Sequence, residues 1–198
     1  VNEIIAVVAA YLLGAIPFGF LLVRLKSGKD VRKEGSGNIG ATNVLRTTGR
    51  ALGVLTLLLD IAKGYAAVWL AAWLTNDSAV WTSLAAVIVM MGHAYPIFLG
   101  YKGGKAVASC VGAFLYLTPL PMLAVALVFV VTVAVTKYIS AGSILAAATF
   151  PFGVWLILHP PIPVFLASLI AGAFIVWRHS ANIARIRAGN ENVFRWKR

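Results

Sequence analysis

Seven apolar runs set the terms for this chain, at residues 3–23, 51–74, 80–100, 104–118, 120–136, 141–158 and 162–178. A helix needs roughly 20 mostly apolar residues to cross the hydrocarbon core of a bilayer, and most of these runs approach that length. These runs are expected to be membrane-spanning helices. The chain is 61% hydrophobic and only 12% charged, with a mean hydropathy of +0.89. So few polar residues cannot enclose that much apolar surface in water. The expected fold is an all-α integral membrane protein, a bundle of seven transmembrane helices forming one domain over 1–198. The fourth run is short, bounded by Lys102–Lys105 on one side and Pro119 and Pro121 on the other, and six crossings result if it fails to span. Basic residues follow the first run, whereas a cleaved signal carries them in front, so this run is expected to be a retained helix.

Basic residues orient the bundle. Seven Lys or Arg lie in 24–50, Lys102 and Lys105 follow the third run, Lys137 follows the fifth, and six more lie from Arg178 onward. The segments at 75–79, 118–121 and 159–163 hold none. Seven crossings put every charged segment on one side, with the N-terminus outside and the C-terminus cytoplasmic; only Lys63, within the second run, falls outside the scheme. Trp73 and Trp81 flank the outer turn, where aromatic belts belong. The net charge is +11, but the cations interrupt hydrophobic runs and form no basic domain. Anionic lipid and phosphorylated substrates therefore suit them better than nucleic acid.

Three polar segments interrupt the greasy pattern, all on the expected cytoplasmic side. The first, "GSGNIGATNVLRTTGR" at 35–50, shows neither strand alternation nor an apolar helical face. Ser36, Asn38, Thr42, Asn43, Thr47 and Thr48 offer polar groups at close spacing. Gly35, Gly37 and Gly40 let backbone N–H groups turn inward as an anion-binding nest. Arg46 has the planar fork that grips phosphate. A solvated loop is the plain alternative. The second segment, "GHAYPIFLGYKGGKAVA" at 92–108, leads a glycine turn into a helix, which offers N–H groups and a positive dipole end beside Lys105. It is no Walker A loop, since Leu99 and Ala106 stand where that motif needs Gly and Ser or Thr. An ordinary helix-entry turn remains an alternative. His93 is a polar residue inside an apolar run and so a functional candidate, with a satisfied structural histidine the competing reading.

The third segment, "WRHSANIARIRAGNE" at 177–191, places His179, Asn182 and Arg185 on one face if the helix continues through them. It also fits a basic juxtamembrane helix that holds anionic lipid. Asp60 and Lys63, three apart in the second run, read first as a structural ion pair. Ser140 and Ser143, in "ISAGS", are minor contributors. Cys110 reads as a small buried hydrophobe. No metal-ligand spacing and no G-x-S-x-G signature occur.

These three segments, in this order, resemble the three cytoplasmic motifs of the bacterial acyl-phosphate:glycerol-3-phosphate acyltransferases, the PlsY type, and the hydrophobic pattern between them is similar over nearly the whole chain. The resemblance implies transfer of an acyl group from acyl phosphate to the 1-hydroxyl of glycerol 3-phosphate. It gives lysophosphatidic acid and phosphate, the first committed step of phospholipid synthesis. It implies no cofactor, metal or acyl-CoA, and a multi-pass location in the bacterial inner membrane with the site facing the cytoplasm; a monomer is compatible with the sequence, which leaves the oligomeric state open. Carried over by motif, the catalytic set is Ser36, Arg46, Lys105, His179 and Asn182. The substrate-binding set is Asn38, Gly40, Thr42, Asn43, His93, Gly103, Gly104 and Ser143, with Asp60, Lys63 and Glu191 structural. Arg46 and His179 are expected to hold glycerol phosphate, Lys105 to hold or bridge phosphate, and Ser36 and Asn182 to orient the hydroxyl. Two phosphates brought together need a cationic pocket, while the mixed anhydride is already activated, so direct transfer is expected. A transporter for a phosphorylated solute and a non-catalytic lipid-binding protein are the rival classes. Short, glycine-interrupted helices favour the transporter, but polar groups gathered at one face and the lack of a repeat count against it.

Overall fold

The computed structural model describes residues 1–194, and among them the regular structure is entirely helical, in ten α-helices and two 3-10 turns. Arg195, Lys197 and Arg198, counted above in the basic C-terminal tail, lie outside the described residues. The chain divides into two compact units, residues 1–117 and residues from 118 onward.

The first unit contains α1 (Asn2–Ala15), α2 (Phe18–Ser27), α3 (Ala41–Thr48), α4 (Arg50–Leu74), α5 (Ala79–Ala94) and α6 (Val107–Leu117). The first apolar run is therefore two helices, not one continuous helix over 3–23. Pro17 has no N–H and its ring obstructs the preceding turn, so Ile16 adopts an extended conformation with ψ of 114°. The third run also stops early. Pro96 follows the end of α5, a 3-10 turn spans Ile97–Leu99, and Gly100 closes it in the left-handed region with φ of 61°.

Helix α4 packs against α1, α3, α5 and α6. Lipid is as apolar as leucine, so helices in a membrane associate through close packing, and small residues permit it. On the α4–α6 crossing, Gly64 lies against the Ser109 carbonyl and Gly112 against the Ile61 carbonyl. A Cβ added at Gly112 would stand 2.8 Å from the Ile61 carbonyl carbon and 2.9 Å from the Tyr65 nitrogen. The α1–α5 crossing repeats the device with Gly14 against Val89 and Gly92 against Tyr11. There the Tyr11 hydroxyl also donates to the Tyr95 carbonyl at 2.8 Å.

The second unit contains α7 (Pro119–Thr136), α8 (Ile139–Leu158), α9 (Ile162–Arg178) and α10 (Ser180–Arg187). Helix α8 packs on both α7 and α9. The turns between them begin at Lys137 and His159, both in the left-handed region with φ of 61° and 46°. Leu123, Leu127 and Val130 on α7 remain 62%, 65% and 59% exposed, the pattern of a surface meant for lipid.

By length and composition, five of the described segments suit a membrane crossing, or six if α9 and α10, bent by 53°, form one span. Helix α6 has 11 residues and starts at Val107, later than the expected 104. It rises roughly 16 Å, about half of a hydrocarbon core.

Candidate active site

The first polar segment is more ordered than its composition suggested. Where the sequence offered no helical face, Ala41–Thr48 forms α3. Val44 anchors it by joining Val23, Val31 and Ile39 in a small buried cluster flanked by Phe20, Leu52 and Leu99. Leu99 belongs to the turn before Lys105, so this cluster brings the first two polar segments together within one unit. Asp30 fixes the loop leading in. It caps the Val31–Lys33 turn and takes three hydrogen bonds from the Arg32 guanidinium, which lies 5.1 Å above the Phe20 ring. The Arg32 hydrogen bond holds the Asp30 carboxyl down at about 2, so it stays ionised at neutral pH.

Asn43 is 2% exposed and works inward. Its Oδ1 accepts from the Ser36 N–H at 2.9 Å, and its Nδ2 donates to the carbonyls of Asn38, Glu34 and Val31 at 2.8, 3.0 and 3.2 Å. Asn38 in turn accepts from the Gly40 N–H at 2.8 Å, and the Gly37 N–H reaches the Glu34 carbonyl at 3.0 Å. The expected inward-facing nest is therefore not formed by these groups. The N–H groups of Ser36, Gly37 and Gly40 are engaged by the loop's own oxygens, because Asn43, Glu34 and Asn38 supply competing acceptors. What the segment presents outward is side chains: Ser36, Thr42 and Arg46 are exposed, the last two one helical turn apart on α3.

The second segment differs from expectation in the same way. The Gly103 and Gly104 N–H groups donate to the Ala94 and His93 carbonyls, each at 3.1 Å. They tie the loop to the end of α5 and are not donors awaiting an anion. Lys105 follows, half-buried, and Ala106 takes a left-handed φ of 62° before α6 begins. His93 is 4% exposed, and its ring lies where a Cβ on Gly104 would sit, so a side chain there would have to displace the ring.

His93 also reaches into the bundle, where its Nδ1 lies 3.6 Å from Asp60 Oδ1. The Asp60–Lys63 ion pair read from the sequence is present, at 2.9 Å. Lys63 Nζ donates onward to the Ile16 carbonyl at 2.8 Å and stands 5.7 Å from the centre of the Phe18 ring. Sequence reasoning missed both the inclusion of His93 and the Ile16 acceptor. Pro17 was the available signal, because a proline within an apolar run breaks the helix and exposes carbonyls to side-chain donors.

In the second unit the helix does not run unbroken through the third segment, the condition on which a shared face for His179, Asn182 and Arg185 depended. His179 lies between α9 and α10 with φ of −98° and ψ of 9°. Its Nδ1 donates to the Ile175 carbonyl at 2.8 Å, which fixes the tautomer and directs Nε2 away from that contact. Asn182 is buried and donates to Glu191 Oε1 at 2.9 Å, while Arg185 Nε reaches Oε2 at 2.8 Å. Burial pushes the Glu191 carboxyl up, but these two hydrogen bonds help outweigh it and hold the group below the usual range. Ser143 donates to the Ile139 carbonyl at 3.1 Å within α8. An apolar cleft of about 370 Å³ opens on the same unit, lined by Thr132, Ile144, Ala148, Ile183 and Ile186 with Arg187 among its walls. Cys110 is buried, as its neighbours implied.

A protein-family model described as glycerol-3-phosphate acyltransferase matches residues 4–189, across both units. The chain belongs to this family. Its relatives include the glycerol-3-phosphate acyltransferases of Desulforamulus reducens, 44% identical over 96% of this chain and 94% of the relative, and of Geobacter sulfurreducens, 46% identical over 98% of each. The fold is similar to solved structures of PlsY (YgiH), an integral membrane glycerol 3-phosphate acyltransferase. The similarity reaches a TM-score of 0.93 with its glycerol 3-phosphate form, at 36% identity over 98% of this chain and 96% of that one. With its lysophosphatidic acid form the TM-score is 0.89 at 34% identity, over the same shares of each chain. This family member is thus an all-helical, multi-pass membrane protein.

Proposed function

We propose that this chain acylates the 1-hydroxyl of glycerol 3-phosphate, taking the acyl group from acyl phosphate. The likeness to PlsY in its glycerol 3-phosphate form, close over nearly both full lengths, carries the reading. The acyl phosphate donor rests on the three polar segments and on their chemistry. In the transfer the glycerol oxygen bonds to the acyl carbon, the bond from that carbon to the phosphate oxygen breaks, and a substrate phosphate oxygen takes the hydroxyl proton. No acyl-enzyme forms. The anhydride is already reactive, so the protein's contribution is to align the hydroxyl and neutralise charge on two phosphates.

In the first unit Ser36 orients the hydroxyl and Arg46 and Lys105 bind phosphate. Exposed Ser36 on the braced loop and exposed Arg46 on α3 support these roles. Asn38, Gly40, Asn43, Gly103 and Gly104 shape the loops that present them, and Thr42 lines the same exposed face as Arg46. In the second unit His179 holds glycerol phosphate, Asn182 orients the hydroxyl and Ser143 assists. The whole chain acts as one domain in the bacterial inner membrane. Its seven crossings include α6, which the glycine contact with α4 shields from lipid, and all the basic segments face the cytoplasm.

Purified protein in detergent, given acyl phosphate and labelled glycerol 3-phosphate, is expected to make labelled lysophosphatidic acid and release phosphate. Acyl-CoA in place of acyl phosphate is expected to give no product. Absence of product in the first mixture refutes the enzyme reading, and turnover with acyl-CoA alone refutes the donor.

A further inference from the structure

Asp60, Lys63 and His93 are 2%, 4% and 4% exposed, and the proposed chemistry uses none of them directly. Ionisable groups inside an apolar bundle are costly unless partnered, and they mark function by default. Their contacts follow one line. It starts at the Ile16 carbonyl, at the break between α1 and α2, which accepts from the Phe18 N–H at 3.2 Å and from Lys63 Nζ at 2.8 Å. It passes through the Lys63–Asp60 pair at 2.9 Å and the Asp60–His93 approach at 3.6 Å. It ends at the loop carrying Lys105, where the His93 ring fills the space beside Gly104 and the His93 carbonyl takes the Gly104 N–H at 3.1 Å.

We propose that Asp60, Lys63 and His93 are positioning residues, a buried charge network that sets the height and direction of the Gly103–Lys105 loop and so aims the Lys105 ammonium at substrate phosphate. His93, placed among substrate contacts by its motif, acts through the loop. The proposal rests on the reading of Lys105 as a phosphate-binding group. The physical argument is one of precision. The Asp60 carboxylate pairs with the Lys63 ammonium at 2.9 Å and faces the His93 imidazole at 3.6 Å, so its charge acts on both, and each of these two touches a different backbone element: the broken helix on one side, the glycine turn on the other. Replacing a buried ion pair by apolar residues commonly leaves stability unchanged or raised, so helix pairing alone does not require these charges.

The test separates positioning from structure. Asp60→Asn with Lys63→Met removes both charges together and avoids leaving one buried alone. Its thermal midpoint in detergent is expected to stay near that of the original protein. Its KM for glycerol 3-phosphate is expected to rise ~10-fold or more, because small misplacements of a binding group have effects of that order. His93→Gln, which leaves the Asp60–Lys63 pair intact, is expected to show the same selective rise, with KM for acyl phosphate little altered. A folded double variant or a folded His93→Gln with an unchanged KM for glycerol 3-phosphate overturns the proposal. Lys105→Gln is assayed beside them. If it too keeps its KM, the phosphate role of Lys105 falls and the network proposal falls with it. If Lys105→Gln is impaired while the network variants are not, the network alone is refuted.

Discussion

Replacing Gly112 by alanine tests whether the α4–α6 crossing is set by backbone contact. The added Cβ would lie 2.8 Å from the Ile61 carbonyl carbon and 2.9 Å from the Tyr65 nitrogen, with the Ile61 oxygen nearer still. These are backbone atoms of α4, which cannot rotate aside, so the helices must part by several tenths of an ångström. Overpacking of this kind costs about 1–3 kcal/mol. Against it stands the gain from replacing a helical glycine, at most about 1 kcal/mol. The steric effect is the larger over most of that range, and a net loss of up to about 2 kcal/mol follows even when the full propensity gain is realised. Gly153→Ala in α8 is the control, because the nearest atom to its added Cβ is Val125 Cγ1 at 3.8 Å, an ordinary contact. That variant retains only the helix-propensity gain and is expected to equal or exceed the original protein in stability. Both would be measured by thermal unfolding in one detergent, with Gly64→Ala as the reciprocal case. A Gly112→Ala protein as stable as the original, or a Gly153→Ala protein as damaged as Gly112→Ala, would refute the close-approach argument.

Three further outcomes are expected. Arg46→Lys keeps the charge but loses the planar fork, so it should impair use of glycerol 3-phosphate, and full activity would reduce Arg46 to a solvated cation. A cysteine placed at Ser27 should resist an impermeant thiol reagent in intact cells while one at Ser78 should label; the reverse pattern would invert the topology. Glu191 has its carboxyl lowered from an ordinary 4.5 by hydrogen bonds that outweigh burial, so it contributes stability above pH 4.5 that is lost as pH falls through its folded value. Below pH 4.5 the thermal midpoint should therefore fall more steeply for the original protein than for Glu191→Gln, and parallel pH profiles would refute the linkage.

Much of this molecule follows from the sequence because the bilayer is a severe solvent. A backbone in hydrocarbon must bond to itself, so an apolar run such as 51–74 or 141–158 has essentially one outcome, and α4 and α8 appear within two residues of the expected ends. The polar segments were legible for the same reason, since uncompensated glycines, hydroxyls and cations stand out against such a background. The Asp60–Lys63 pair needed only helical periodicity. Tertiary structure decided what depends on which groups compete for the same hydrogen bonds. Whether glycine N–H groups face an anion or a neighbouring oxygen depended on Asn38 and on the carbonyls of Glu34, His93 and Ala94, and no local pattern states that outcome. Helix α3 required Val44 to find Val23, Val31 and Ile39. His93 joins Asp60 because the break at Pro17 and the glycine crossings fix where α1, α4 and α5 meet. Sequence specifies which segments must leave water; only the packed helices specify which buried polar groups meet, because each donor bonds the acceptor that the fold brings within about 3 Å.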